Sequence, residues 1–237
     1  MGRTRRKAKP IDLYYWPTPN GWKVSVMLEE CGLPYNVIPV NIARGDQFKP
    51  DFLEISPNNR MPAIVDPDGP GGRPISVVES GAILQYLGRK TGKFYPAGER
   101  ARVAVDEWLF WQMANLGPKA GEASHFRRYA PEKIPYALDR YGNEMNRLYG
   151  VMNRRLKDRR FLAGSYSIAD MACVGWIRLF ERLGETFKGF PHLQRWLAAV
   201  RARPAVQRGM HVRVEEASRV DVSDPKVRAV LFGQRAR

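Results

Sequence analysis

The chain of 237 residues is long enough for one large or two modest domains, and its 44% of hydrophobic residues are ample for a buried core. It has no long apolar run, and no apolar segment follows the basic residues at its start, so we expect a cytoplasmic protein that neither spans a membrane nor is secreted. The only two cysteines, Cys31 and Cys173, lie far apart among apolar or small neighbours, which disfavours a disulfide scaffold.

The net charge of +15 is concentrated near the two ends of the chain. Residues 1–10 hold five basic and no acidic side chains, and residues 200–237 hold nine basic and four acidic ones. The sequence has no zinc-ligand spacing, aromatic-glycine RNA signature or long basic helix, so we expect solvated ends and no specific nucleic-acid partner. We therefore expect both ends, residues 1–9 and 218–237, to be dispensable for catalysis.

The first half of the chain alternates between strand and helix patterns. Residues 11–16 have the β-branched and aromatic bias of a strand, and apolar side chains then recur at helical spacing up to Gly32. The remaining elements are a strand, a short helix, two strands around a glycine-rich loop, and a helix, which begin near Tyr35, Phe48, Ala63, Ile75 and Glu79. The predicted order is βαβαββα, in a domain of residues 11–93.

The second half is predicted to be all-helical, in a domain of residues 99–212. Ser167 and Asp170 have the spacing of a capping box at a helix start. The residues before and after the two domains, 1–10 and 213–237, are assigned as basic extensions, and the second is expected to be extended or partly ordered. The predicted helices cover residues 99–128, 132–157, 167–183, 191–202 and 204–211.

The turn between the first strand and the first helix is the first candidate site. Thr18 and Asn20 lie where the free N–H groups and positive end of a helix favour an anion such as a thiolate. Either side chain is equally suited to cap the helix, and residue types alone favour that structural role. The three histidines are too scattered for a metal site, so we expect no metal.

Two further motifs suit a zwitterionic peptide. In Asn59-Arg60-Met61-Pro62, a proline just before a strand tolerates a cis bond that would expose the Met61 backbone to a ligand. Glu79 and Ser80 begin a helix, where N–H groups suit a carboxylate and the Glu79 side chain suits an ammonium group. Each motif by itself is also typical of an ordinary turn or cap.

Together these motifs resemble cytosolic glutathione transferases over residues 11–210. The resemblance rests on the element order, on the proline before the third strand and on the Ser-Ile-Ala-Asp motif that begins at Ser167. The segments 17–21, 45–48, 56–64 and 134–137 are similar to the bacterial Nu class, which reduces disulfides with glutathione. The resemblance implies a thioredoxin-like domain followed by a helical domain, and a homodimer with one site per subunit.

The resemblance also implies roles for particular residues. Thr18 and Asn20 would bind the glutathione sulfur, the Met61 backbone would pair with the cysteinyl part, and Glu79 and Ser80 would hold the γ-glutamyl end. The other residues implied to bind glutathione are Gln47, Asn59, Arg60, Pro62 and, from the partner subunit, Arg140. Arg60 stands where the family often has lysine.

The sequence has no cysteine at the predicted turn, so the reactive sulfur is expected to come from glutathione. The resemblance to the Nu class implies that the site accommodates two glutathiones or glutathione disulfide. Two alternatives stay open. The same thiolate would conjugate an electrophile or cleave an aryl ether if Trp16, Trp108, Trp111 and Met113 lined an apolar pocket. A relative without enzymatic activity would use its dimer surface for assembly.

Overall fold

The computed structural model describes residues 9–179, 187–218 and 220–235. The chain forms two compact units, of which one comprises residues up to Tyr86 together with those from Gly209 onward, and the other comprises residues 87–208. The predicted N-terminal extension lies outside the described residues except for Lys9 and Pro10. The domain bounds drawn from the sequence stay a prediction.

The first unit contains a mixed sheet of four strands in the order β2-β1-β3-β4. Strand β1 runs parallel to β2 and antiparallel to β3, and β3 and β4 form an antiparallel hairpin. Alternate side chains of a strand face opposite sides of a sheet, and Ile11, Leu13 and Tyr15 of β1 are all buried. The strands are β1 Ile11–Tyr15, β2 Tyr35–Pro39, β3 Ala63–Asp66 and β4 Ile75–Val78.

Three helices complete this thioredoxin-like arrangement: α1 Pro19–Cys31, α2 Pro50–Ile55 and α3 Ser80–Thr91. Helix α1 begins after Thr18 and ends at Gly32, whose φ of 68° is the left-handed conformation that glycine adopts most readily. The order of strands and helices confirms the predicted βαβαββα fold.

The second unit is helical, as predicted. A short π-helical segment, 112–116, joins its first two helices, and a second one, 125–129, extends the helical stretch to residues 99–129. The predicted helix over 167–183 is observed as far as Ile177, and its residues 180–183 lie outside the described residues. The helices are α4 Glu99–Trp111, α5 Gly117–Ser124, α6 Pro135–Arg155, α7 Ile168–Ile177, α8 Pro191–Arg201 and α9 Pro204–His211, of which the last three residues belong to the first unit.

A buried carboxylate fixes the start of α7 and confirms the predicted capping box. Asp170 is fully buried and accepts hydrogen bonds from the backbone N–H groups of Leu162 (3.1 Å) and Ser167 (3.0 Å). The indole Nε1 of Trp196 donates a third bond at 2.8 Å. Burial nevertheless raises the pKa of Asp170 to about 6, because desolvation outweighs these bonds.

The C-terminal tail departs from its prediction. It forms α10 Val214–Ser218 and α11 Pro225–Phe232, so the expectation of an extended or partly ordered tail is wrong for these segments. The side chain of Asp224 accepts a hydrogen bond from the Lys226 N–H at 2.7 Å, which caps α11. The sequence has no strong apolar periodicity here, so we attribute the helix to this local cap and to contacts with other residues of the first unit.

No helix in the described part of the chain combines the length and the apolar character needed to cross a membrane.

Candidate functional site

The turn between β1 and α1 is tight and holds the Thr18 hydroxyl in one place. The Thr18 backbone is extended, and its Oγ1 accepts a hydrogen bond from the Gly21 N–H at 3.2 Å. A Cβ on Gly21 would come within 2.2 Å of the Trp16 carbonyl oxygen, so only glycine fits there. Thr18 therefore caps the helix, as residue types alone favoured, and the cap leaves its hydroxyl proton for another acceptor.

That proton points towards Met61, which is 43 residues away in sequence. The Thr18 hydroxyl donates to the Met61 Sδ at 3.8 Å, and a thioether is a weak acceptor. The Met61–Pro62 peptide bond is cis, and Ala63 beyond it pairs with Tyr14 of β1. The sheet thus brings together two motifs that the sequence analysis identified separately.

The third motif lies beside them, because Ala63 of β3 also pairs with Val78 of β4. Glu79 follows Val78, is exposed and has a φ of 64°, and its carbonyl oxygen accepts the Ile83 N–H at 2.9 Å as α3 begins. Ser80 is buried and is the first residue of α3. The structure therefore places Thr18, Met61 and Ser80 at one edge of the sheet.

Lys23 is a residue at this edge that the sequence analysis missed. Its side chain is only 2% exposed, and its Nζ donates to the Ser80 Oγ at 3.3 Å. A buried ammonium group is costly unless polar or anionic groups surround it. The available signal was a lysine among the mostly apolar neighbours Trp22, Val24 and Val26.

Gln47 lies in a 3-10 turn over Asp46–Phe48, and Asn59 and Arg60 directly precede Met61 in the loop between α2 and β3. Gln47 is 3% exposed, and its Nε2 donates to the Ile42 carbonyl oxygen at 3.2 Å. Its Oε1 and the Asn59 Oδ1 are buried and accept no hydrogen bond from the described residues. Arg60 is exposed, and its Nη1 donates to the Gln234 Oε1 at 2.8 Å.

Asn20 and Arg140 are the remaining predicted residues. Asn20 is the second residue of α1 and is partly buried. Arg140 is exposed on α6, within the helical unit. The roles predicted for both residues stay predictions.

Tyr15, Cys31 and Cys173 are each poorly suited to act as a nucleophile. Burial raises the pKa of Tyr15 well above its ordinary value, so its hydroxyl stays protonated and donates to the Val212 carbonyl oxygen at 3.2 Å. Cys31 and Cys173 are both buried, and neither forms a disulfide. Within the described ranges, no three His, Cys, Asp or Glu side chains cluster so as to hold a metal ion.

This chain is similar to known proteins over most of its length. The family model of the glutathione S-transferase N-terminal domain matches residues 18–90, and that of the C-terminal domain matches residues 131–204. The disulfide-bond oxidoreductase YfcG of Escherichia coli is 49% identical over 197 residues, which cover 82% of this chain and 92% of YfcG. The disulfide-bond oxidoreductase YghU of the same organism is 40% identical over 215 residues, covering 84% of this chain and 74% of YghU.

A solved structure gives the same result. The glutathione transferase from Pseudomonas putida, crystallised with one glutathione disulfide bound per subunit, has a TM-score of 0.82 and 41% sequence identity. The similarity covers 89% of this chain and 94% of that one. This chain belongs to the glutathione S-transferase family.

Proposed function

We propose that this protein is a cytoplasmic, Nu-class-like enzyme that reduces disulfide bonds with glutathione. The observation that carries the proposal is the position of the Thr18 hydroxyl at the start of α1. Its helix cap holds it there, and its proton is directed at the Met61 Sδ. The turn itself has no cysteine. The similarity to YfcG and YghU, both named disulfide-bond oxidoreductases, supports it.

Bound glutathione would lie along the edge that Thr18, Met61 and Ser80 form. Its γ-glutamyl carboxylate would meet Ser80 and the N-terminus of α3 near the Lys23 ammonium, while Glu79 holds its ammonium group. The Met61 backbone would pair with the cysteinyl part, with Pro62 fixing that backbone.

The glycyl end would then lie on the far side of Met61 from Ser80. Arg60 supplies a cation there for the glycyl carboxylate. The buried Gln47 Oε1 and Asn59 Oδ1 accept no hydrogen bond from the described residues. A peptide N–H of bound glutathione would supply such a donor.

The reaction is a pair of thiol–disulfide exchanges. The bound glutathione thiolate attacks one sulfur of the substrate disulfide, forms a new S–S bond and expels the other sulfur as a thiolate, which takes up a proton. A second glutathione thiolate then attacks the glutathione sulfur of that mixed disulfide and releases the reduced thiol and glutathione disulfide. Thr18, Asn20 and the positive end of α1 stabilise the attacking thiolate.

The thiols of the protein are badly placed for this chemistry. Cys31 lies at the far end of α1, about 18 Å along the helix from its first residue at a rise of about 1.5 Å per residue. Its thiol is buried against the Met27 Sδ at 3.9 Å. Cys173 is buried within α7 of the helical unit.

We also propose a homodimer in which the Arg140 side chain serves the site of the neighbouring subunit. The helical unit exposes the apolar side chains of Val103 (47%) and Phe110 (61%) on α4, and a second copy is the partner that would cover them. Sedimentation that shows only monomer at micromolar concentration would contradict this.

The deciding experiment compares two substrates with one enzyme preparation. We expect glutathione-dependent reduction of 2-hydroxyethyl disulfide to be much faster than conjugation of glutathione to an aryl halide. Faster conjugation would favour a conjugating transferase. Absence of glutathione binding in a calorimetric titration would favour a non-enzymatic relative.

A further inference from the structure

The C-terminal segment, of which the structure describes residues 209–218 and 220–235, belongs to the first unit and packs closely against α1 at Gly209. The Ser25 Oγ donates to the Gly209 carbonyl oxygen at 2.7 Å, and a Cβ on Gly209 would come within 2.6 Å of the Val26 backbone. Neither matched family model extends beyond residue 204, so the family match assigns no role to this segment.

Helix α11 lies beside the loops that carry Gln47, Asn59 and Arg60. The Val230 Cγ1 is 3.7 Å from where a Cβ on Gly45 would lie, two residues before Gln47. A groove of about 620 Å³ separates the loops from the tail. Its walls include Phe48, Leu53 and Asn59 on one side and Val230, Gln234 and Arg235 on the other.

One side chain of the tail is oriented towards Arg60 by its own hydrogen bonds. The Gln234 Nε2 donates to the carbonyl oxygens of Val230 (3.1 Å) and Leu231 (3.4 Å) at the end of α11. Both amide protons are thereby used, so the Oε1 faces Arg60 and accepts its Nη1–H at 2.8 Å. Arg60 also donates through Nη1 to the Asn59 carbonyl oxygen at 3.3 Å, and to no other group in the described part of the chain.

This arrangement constrains the Arg60 guanidinium group without neutralising it. An amide oxygen fixes one of its nitrogens but carries no charge, so the other N–H donors stay available to a carboxylate. Arg235 lines the same groove and adds a second positive charge.

We propose that Gln234 is a positioning residue for Arg60, and that the C-terminal segment selects thiol and disulfide substrates with a free carboxylate at the glycyl end. This inference rests on the proposed function, in which Arg60 meets the glycyl carboxylate. It replaces the expectation from the sequence that residues 218–237 are dispensable for catalysis.

The test combines two ligands with a double-mutant cycle. Dissociation constants and disulfide-reductase kinetics are measured for glutathione and for its glycyl ethyl ester, which lacks that carboxylate. The proteins are wild type, Gln234→Ala, Gln234→Glu, Arg60→Ala and the Arg60→Ala/Gln234→Ala double variant. Gln207→Ala is the matched control, because the Gln207 Nε2 also donates to a backbone carbonyl, that of Arg201.

We expect Gln234→Ala to raise the Kd and KM for glutathione about three- to tenfold with little change in kcat, and to leave the ester unaffected. Gln234→Glu should weaken glutathione binding more, because its carboxylate neutralises the arginine that it holds. In the Arg60→Ala background, Gln234→Ala should have no further effect.

Three outcomes would overturn the proposal: wild-type affinity for glutathione in Gln234→Ala, an equal loss with the ester, or additive effects in the double variant. In each of them the proposed function stands if wild type binds glutathione and reduces the disulfide. A wild-type protein that does not bind glutathione would overturn both.

Discussion

Replacing Thr18 with alanine removes two hydrogen bonds made by one hydroxyl group. The lost bond from the Gly21 N–H is a helix cap, worth about 1 kcal/mol of stability. The other is the bond that the hydroxyl would donate to the thiolate in place of its long contact with the Met61 Sδ. Loss of a hydrogen bond to a charged group costs about 1.5–3 kcal/mol.

These two losses have different readouts. If the second bond acts on the thiolate and the transition state, 1.5–3 kcal/mol corresponds to a drop of about ten- to a hundredfold in kcat/KM. Loss of this bond also raises the pKa of the bound glutathione thiol by about one to two units. The loss of the cap lowers only the melting temperature.

Thr18→Gly and Thr18→Ser separate the two effects. Glycine is a fair helix cap that lacks a hydroxyl group, whereas serine keeps both functions. Thiolate absorbance of bound glutathione, kcat/KM against pH and thermal unfolding are measured for all three variants. We expect alanine and glycine to lose similar activity although alanine is the less stable, and serine to resemble wild type. The reasoning is refuted if the pKa of the bound glutathione thiol is unchanged in both the alanine and the glycine variant. It is also refuted if the loss of kcat/KM across the variants parallels the loss of melting temperature.

Three further variants test other parts of the argument. The Cys31→Ala/Cys173→Ala variant should keep glutathione-dependent disulfide reduction within about twofold at matched folded concentration, with some loss of melting temperature from buried cavities; an inactive folded protein would assign the reaction to a protein thiol. Lys23→Met removes the ammonium group that donates to Ser80, so calorimetry should show glutathione binding about tenfold weaker in a protein that still unfolds cooperatively; an unchanged Kd would contradict its role. Because the pKa of Asp170 is raised from 3.8 to about 6, its contribution to stability is full below about pH 4 and declines as the pH rises through 6. The unfolding free energy of wild type relative to Asp170→Asn, from urea titrations, should therefore fall by about 2 kcal/mol between pH 4 and 7, and a constant difference would contradict this.

The fold was predictable where local pattern and tertiary packing agree. The first strand and helix have distinct apolar periods, and Gly32 ends the helix through a conformation that glycine favours. The capping box at Ser167 was predictable for the same reason, because all its partners lie within three residues. Helix α11 was missed because it is short and its periodicity is weak, and because its Val230 packs near Gly45, which is far away in sequence.

The residues of the candidate site also differ in whether a local sequence motif identifies them. Thr18, Met61 and Ser80 stand in local motifs that have their own signatures, so the sequence identified them before the sheet register brought them together. Lys23 and Gln234 have no such signature. The role proposed for each depends on a hydrogen bond to a residue far away in sequence, 57 positions for Lys23 and 174 for Gln234, and no local spacing predicts such a bond.

A thioredoxin-like domain whose site lacks a cysteine must hold the reactive sulfur in position by non-covalent contacts. A protein cysteine needs only a lowered pKa and access to the substrate, because the chain itself holds the sulfur in position. Here the sulfur would arrive on a tripeptide, so its position depends on contacts at both ends of that peptide. Under the proposed function, Ser80 with Lys23 would hold one end and Arg60 with Gln234 the other, and both pairs join segments that are distant in sequence. On the proposed mechanism the oxidised sulfur leaves with glutathione disulfide, so the buried Cys31 and Cys173 would take no part, and the tail that holds Arg60 would belong to the site.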